Sequence, residues 1–437
     1  MKGSQQMNFV LKENSLLGEK YYYGKHSTGL EIFVIPKEHK QSFAIFGTRY
    51  GAMDRTFKTD EEAEFVTVPD GIAHFLEHKM FENEDGVDTF SRYAENGADA
   101  NAFTSNEMTA YLFSSTEHYY ENLEILLDFV THPYFTKETV EKEQGIIGQE
   151  ITMYDDSPNW SMYQNLLSAL YRENYVKIDV AGTVESIAEI TPEILYRCYD
   201  TFYNLNNMTL VVCGRFDCDR VAALCDRVLK PSKDVHVESR QPKEPRDIVK
   251  DEVRESFPVA GPMFMIGLKE TDLPEGESGE DKLKRSCEQE IVADMLFGRA
   301  SDFYYELYNE GLLNEKYDVG YELGKNYSHL IISGESSNPR AVFEAAKKTV
   351  EKVKQEGFEL ADFRRCKKAR YARSIAGWNN TSDISERFLN LRFVGCDMLT
   401  EPDVISSVTA EDIAARLEKS FDTKLMALSV VEPIEKE

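Results

Sequence analysis

Two histidines four residues apart, with a glutamate between them, form the segment of this 437-residue chain best suited to chemistry: Gly71-Ile-Ala-His74-Phe-Leu-Glu77-His78-Lys-Met-Phe81. On a helix this spacing stacks His74 and His78 one turn apart on a single face, where their imidazoles can share one cation. Glu77 stands next to that face and can reach a water on the cation. Ile72, Phe75, Leu76 and Met80 supply the apolar surface that seats such a helix. Catalytic zinc sites use three protein ligands and keep a fourth position open, so a third ligand must come from elsewhere. The helix-like stretch Glu138 to Ile151 offers Glu143 and Glu150, two turns apart on one face. Either can ligate while the other hydrogen-bonds a ligand histidine and fixes its ring. His26, His39, His118, His132, His236 and His329 have no partner at metal-ligand spacing.

These groups need a scaffold, and the hydrophobic patterning predicts one. Period-2 strand patterns run over Leu30–Ile35 and Phe43–Tyr50, followed by the Gly71–Phe81 helix and a strand-like run at Ala102–Ser115. Helices are predicted at Tyr119–Thr131, Lys137–Tyr154 and Pro192–Tyr203, and a strand at Met208–Cys213. Pro231 to Asp247 is rich in Pro, Lys, Asp and Glu without apolar periodicity, and reads as a linker.

The order then repeats. A strand at Pro262–Leu268, a helix around Cys287–Phe297 and strands near Tyr317–Leu323 and His329–Ser333 precede helices at Pro339–Gln355 and Ala361–Ala376. Asp88-Thr-Phe-Ser-Arg-Tyr-Ala-Glu-Asn-Gly97 and Asp302-Phe-Tyr-Tyr-Glu-Leu-Tyr-Asn-Glu-Gly311 match in length, end residues and aromatic placement. Two related α+β units are expected: residues 1–230 bearing the metal, a linker at 231–247, and 248–437 as a homologous domain without it. In the register of this echo, Glu288, Ile291 and Val292 stand where His74, Glu77 and His78 stand. The second half therefore cannot hold the same ion.

The stretch from His74 through Pro158, with Asn101-Ala-Phe-Thr104 between, resembles the insulinase and mitochondrial-processing-peptidase superfamily, the inverzincins with an inverted H-x-x-E-H motif. The likeness extends through Gly182-Thr-Val-Glu-Ser-Ile187 and Phe202-Tyr-Asn-Leu-Asn-Asn-Met208. It implies an α+β fold of two homologous domains, each a mainly antiparallel sheet with helices packed on one face. It further implies a zinc metallopeptidase with one zinc ion per chain. The family pattern makes Glu150 the third ligand beside His74 and His78, Glu143 the carboxylate behind a ligand histidine, and Glu77 the general base. It also implies that the strand carrying Asn101, Ala102, Phe103 and Thr104 takes substrate as an added β-strand, through main-chain hydrogen bonds that favour unfolded or short peptides.

In one respect the chain departs from the family pattern. Active members carry an Arg and a Tyr seven residues apart in the second half, where they hold substrate and stabilise the oxyanion. From Ser301 to Pro339 this chain has no arginine; Tyr308 or Asn309 occupies the slot, and Tyr317 and Tyr321 lie out of register. The resemblance accounts for this with a heterodimer in which a zinc-less paralogue supplies the pair. The alternative is a non-catalytic assembly or peptide-binding subunit that retains a zinc site.

The bulk properties narrow the partners. A net charge of −27 with no basic stripe argues against nucleic acid. No run is long and apolar enough for a membrane span or a signal peptide. Seven cysteines without any C-x-x-C pair read as buried free thiols, and a cytoplasmic location is expected.

Overall fold

The computed structural model of the protein describes residues 7–434. In the first half the strands are β1 (Val10–Asn14), β2 (Glu19–Lys25), β3 (Glu31–Pro36), β4 (Ser42–Thr48), β5 (Thr56–Thr59), β6 (Val66–Thr67), β7 (Asp99–Thr104), β8 (Thr109–Ser115) and β9 (Met208–Gly214). Its helices are α1 (Ile72–Lys79), α2 (Thr89–Glu95), α3 (Tyr119–Thr131), α4 (Lys137–Asp155), α5 (Pro158–Leu170), α6 (Val184–Ile187), α7 (Pro192–Phe202) and α8 (Cys218–Val228). After β10 (Val237–Ser239) come β11 (Glu252–Phe257), β12 (Met263–Lys269), β13 (Tyr317–Leu323), β14 (Ser328–Glu335) and β15 (Met426–Pro433). The second half's helices are α9 (Gly279–Phe297), α10 (Asp302–Asn309), α11 (Pro339–Glu356), α12 (Leu360–Ala376), α13 (Thr381–Phe393), α14 (Glu401–Ser407) and α15 (Ala410–Ser420).

The strands form two main sheets of the same design. The first has the order β1-β2-β3-β9-β4-β8-β7, the second β11-β15-β12-β14-β13. In each, one pair is parallel, β3 with β9 and β11 with β15, and the other neighbours are antiparallel. Strands β3, β9, β4, β8 and β7 thus correspond to β11, β15, β12, β14 and β13. The echo in the sequence is the same local structure twice: α2 and α10 each end in a left-handed glycine, Gly97 and Gly311. Beyond each glycine, the next amide reaches back five residues, Ala98 to Tyr93 and Leu312 to Leu307. The α+β fold of two related units is therefore present, with mainly antiparallel sheets.

The linker-like stretch carries β10, which pairs with β5, and its Glu244 accepts the amides of Arg172, Glu173 and Asn174. The single strand-like run at Ala102–Ser115 is instead a hairpin, β7 and β8, broken at Ser105 to Met108. The alternation expected in β3 and β4 gives way to burial on both faces. Ile32, Val34, Ala44 and Phe46 face the first unit's own helices, whereas Phe33, Ile35, Phe43 and Ile45 face the other side.

That other side is covered from the second half. Ile384, Phe388 and Leu389 of α13 pack on it, while Leu166, Leu167 and Leu170 of α5 pack on the matching face of the second sheet. Neither helix was anticipated. Each unit lends one helix to the other, and each helix crosses a glycine of a central strand. A Cβ on Gly47 of β4 would lie 2.7 Å from Leu389, and one on Gly267 of β12 would lie 2.7 Å from Leu170. Truncating either helix leaves a void between units that cannot collapse freely. Leu166→Ala and Leu389→Ala are each expected to cost about 2–5 kcal/mol, seen as a lower midpoint of denaturant unfolding. An unchanged midpoint would show that the crossed helices are dispensable.

Candidate metal centre and adjoining cleft

The helix carrying the motif is short and held firmly at its start. Gly71, the residue before α1, has φ 86°, and a side chain there would meet the Ala181 carbonyl at 2.3 Å. Only glycine permits this left-handed turn against the 181–182 loop. Ile72, Ala73, Phe75 and Leu76 of α1 pack into the core, and the other side of the helix carries the half-buried His74 and His78 with the buried Glu77. Helix α4 opens on a Thr136–Thr139 capping box and buries Val140, Glu143, Ile147 and Ile151. This stripe turns Glu143 and Glu150 toward α1.

The structure brings the two segments together. His74, His78 and Glu150 each offer a donor atom, and these atoms all lie within 4.8 Å of one another. His74 Nε2 is 3.8 Å and His78 Nε2 3.4 Å from the Glu150 carboxylate oxygens. These separations exceed hydrogen-bond lengths, but four tetrahedral ligands with bonds of about 2.0–2.1 Å lie roughly 3.4 Å apart. His78 Nδ1 is 3.0 Å from Glu143 Oε1, an arrangement that fixes the tautomer and leaves Nε2 free to donate its lone pair. Glu143 lies behind His78, and Glu150 lies between the two imidazoles.

The electrostatics favour a cation. Burial and the neighbouring His78 push the His74 pKa down to about 3, so its imidazole is neutral. Burial also disfavours charge on His78, but the Glu143 hydrogen bond and the Glu77 and Glu150 carboxylates outweigh it and raise the pKa. Burial raises the Glu77 pKa above the carboxylate range, against the Thr104 hydrogen bond and the His78 charge. Carboxylate oxygens facing a neutral imidazole suit a cation, and a nitrogen–nitrogen–oxygen donor set suits zinc. The residues present therefore fit the ion. Replacing Glu143 by Gln is expected to weaken zinc affinity about 10–100-fold with the fold retained. Chelator competition measures it, and wild-type affinity would show that Glu143 does not orient His78.

Beside His78 and Glu143 lies a cleft of ≈ 680 Å³ walled by Phe81, Val87, Phe90, Asn101, Ala102 and Tyr134. Phe81 and Phe90 stack at 4.4 Å, giving it an aromatic flank. Strand β7 forms its edge and pairs only with β8, so among the described residues its outer edge is free. Of the four strand residues singled out, Asn101 and Ala102 line the cleft, while the Phe103 ring packs on the opposite sheet face. The Thr104 hydroxyl donates to Glu77 Oε2 at 2.7 Å, a contact that sequence reasoning missed. Strand alternation carries the signal: Ala100, Ala102 and Thr104 share the face toward α1. A separate hollow of ≈ 720 Å³ around Arg197, Asp200 and His236 contains none of these residues.

The corresponding place in the second unit is closed by protein charges. Glu288 binds the Arg416 guanidinium at 2.9 Å, and Ile291 and Val292 are fully buried. Tyr317 donates to the Phe297 carbonyl and Tyr321 to Glu270, so both hydroxyls serve their own unit. Tyr308 is exposed on α10.

Comparison with known proteins shows the family of the chain. Residues 68–184 match the insulinase domain (peptidase family M16), and residues 189–370 the peptidase M16 inactive domain. The uncharacterized zinc protease YmfH of Bacillus subtilis (strain 168) is 36% identical over 429 residues, 96% of this chain and 98% of that protein. The crystal structure of an M16-like peptidase, so designated putatively, from Alicyclobacillus acidocaldarius superposes with a TM-score of 0.90 at 34% identity, covering 99% of this chain and 100% of that one. Pitrilysin superposes at 0.75 with 16% identity, covering 99% of this chain and 47% of its own, a likeness of fold.

Proposed function

The chain belongs to the insulinase family of peptidases, and from that premise we propose that it hydrolyses peptide bonds with one zinc ion held by His74, His78 and Glu150. The observation that carries this reading is the convergence of these three donors from α1 and α4, with Glu77 in the next position on the helix. Zinc there would polarise a carbonyl and bring the pKa of water toward neutrality. Glu77 takes the proton of the attacking water and returns it to the leaving amine. The free edge of β7 holds an extended peptide through main-chain hydrogen bonds, which selects unfolded or short substrates. The metal-bearing part is residues 1–230, joined through 231–247 to a metal-free homologous domain, 248–437.

The same proposal includes a partner. The cleft beside the site is lined by residues from Glu77 to Glu143 alone, and the second half contributes none of them. With Tyr317 and Tyr321 engaged inside their own unit, the missing Arg/Tyr pair comes from a zinc-less paralogue in a heterodimer. A cytoplasmic location completes the reading, supported by seven free cysteines, most of them buried. No helix among the described residues is long and apolar enough to cross a membrane. The test is cleavage of a panel of unfolded peptides by the zinc-loaded chain with and without the paralogue. Turnover is expected with the partner and only traces without it. Full turnover by the chain alone would remove the partner, and stoichiometric zinc without any cleavage would make the chain a non-catalytic zinc-binding subunit.

A further inference from the structure

We propose that the Thr104 hydroxyl is the positioning group of the general base, occupying one carboxylate oxygen of Glu77 and presenting the other to the reacting water. The inference rests on the peptidase reading above and adds a residue to its machinery.

The hydrogen-bond directions support it. Thr104 and Thr109 face each other across the β7–β8 hairpin, with their hydroxyl oxygens 3.3 Å apart. Each hydroxyl has one proton to give. Thr109 gives its proton to the Tyr50 carbonyl at 2.9 Å. It has none left for Thr104, whose own proton goes to Glu77 Oε2 at 2.7 Å. The Thr109 oxygen, 3.3 Å away, is the other acceptor near the Thr104 hydroxyl, and the shorter, charge-assisted bond to Glu77 outcompetes it. The bond to Glu77 leaves Oε1 of that carboxylate free of any protein hydrogen bond among the described residues.

The placement gives this bond a second consequence. Thr104 is the last residue of β7, the strand whose free edge borders the cleft, and Glu77 lies on α1 next to the metal-binding pair. One short bond therefore ties the peptide-accepting edge to the base. A base displaced by a fraction of its reach loses alignment with the water, and small misplacements of this kind cost about 10²-fold in rate. Exposure does not explain the contact: Glu77 is only 7% exposed, and a buried carboxylate needs a donor to hold one rotamer.

The experiment compares Thr104→Val, which keeps the side-chain shape, with Thr104→Ser, which keeps the hydroxyl, each in the zinc-loaded protein with its paralogue. For Thr104→Val, kcat is expected to fall about 10–100-fold with KM unchanged. Thr104→Ser is expected to recover most of the turnover. Zinc content and melting temperature, measured alongside, should stay at wild-type values in both. Three results would overturn the inference: wild-type kcat in Thr104→Val, a loss confined to KM, or equal losses in the two variants. The wild type is the control for the underlying reading. If it cleaves no peptide, the peptidase assignment fails with this one, whereas a normal wild type beside an unaffected Thr104→Val sinks the positioning role alone.

Discussion

Glu77→Gln is expected to lower peptide hydrolysis by about 10²- to 10⁴-fold while zinc content stays at the wild-type level. The substitution preserves shape and the acceptor oxygen that receives the Thr104 proton, but it removes the group that can take a proton from water. Glu77 is not among the three converging donors, so the ion should remain. A variant that loses zinc together with activity would move Glu77 from base to ligand. A variant that keeps full activity would remove it from the reaction. Metal analysis and turnover on the same sample separate these outcomes.

Glu150→Ala is expected to have the other large effect, through the metal. It removes the only donor that α4 contributes to the cluster, leaving two imidazoles on one turn of α1. Its loss should weaken zinc by more than the roughly 10–100-fold expected for Glu143, because a direct bond is lost rather than an orienting contact. Activity should fall in step with metal content and return in part at high zinc concentration. Wild-type zinc affinity in this variant would mean that another group completes the site.

The local part of this site was legible because helix geometry is local. A spacing of four puts His74 over His78, and a spacing of seven puts Glu143 and Glu150 on one stripe, whatever surrounds them. The sequence left open which carboxylate ligates until the family resemblance favoured Glu150, and the packing of α4 on α1 separates their positions. The Thr104 contact depends on how β7 lies against α1, a tertiary relation that no spacing states. Only the side on which Thr104 points could be inferred beforehand.

A similar division holds for the fold. Helices α3 and α4 and strand β13 fall within a residue of their expected limits because amphipathic period and flanking residues agree. Strands β3 and β4 were legible as strands, but their apolar residues on both faces required a second covering layer. That layer is α13, more than three hundred residues away in sequence, with Ser385 and Thr381 buried among its apolar contacts. Small polar residues on the buried face weaken the hydrophobic period. Helix α5 was obscured differently: its leucines pack on the second unit, so nothing near it in sequence shows what it covers.

The position of a bound zinc ion is the most direct test of the His74–His78–Glu150 site. Crystals of the zinc-loaded protein, measured with anomalous scattering at the zinc edge, locate it without assumption. The expected result is one site per chain, about 2.0–2.2 Å from His74 Nε2, His78 Nε2 and a Glu150 carboxylate oxygen, with Glu77 unligated beside it. A zinc ion bound elsewhere, or a peak at the two histidines with Glu150 turned away and no carboxylate in its place, would contradict it.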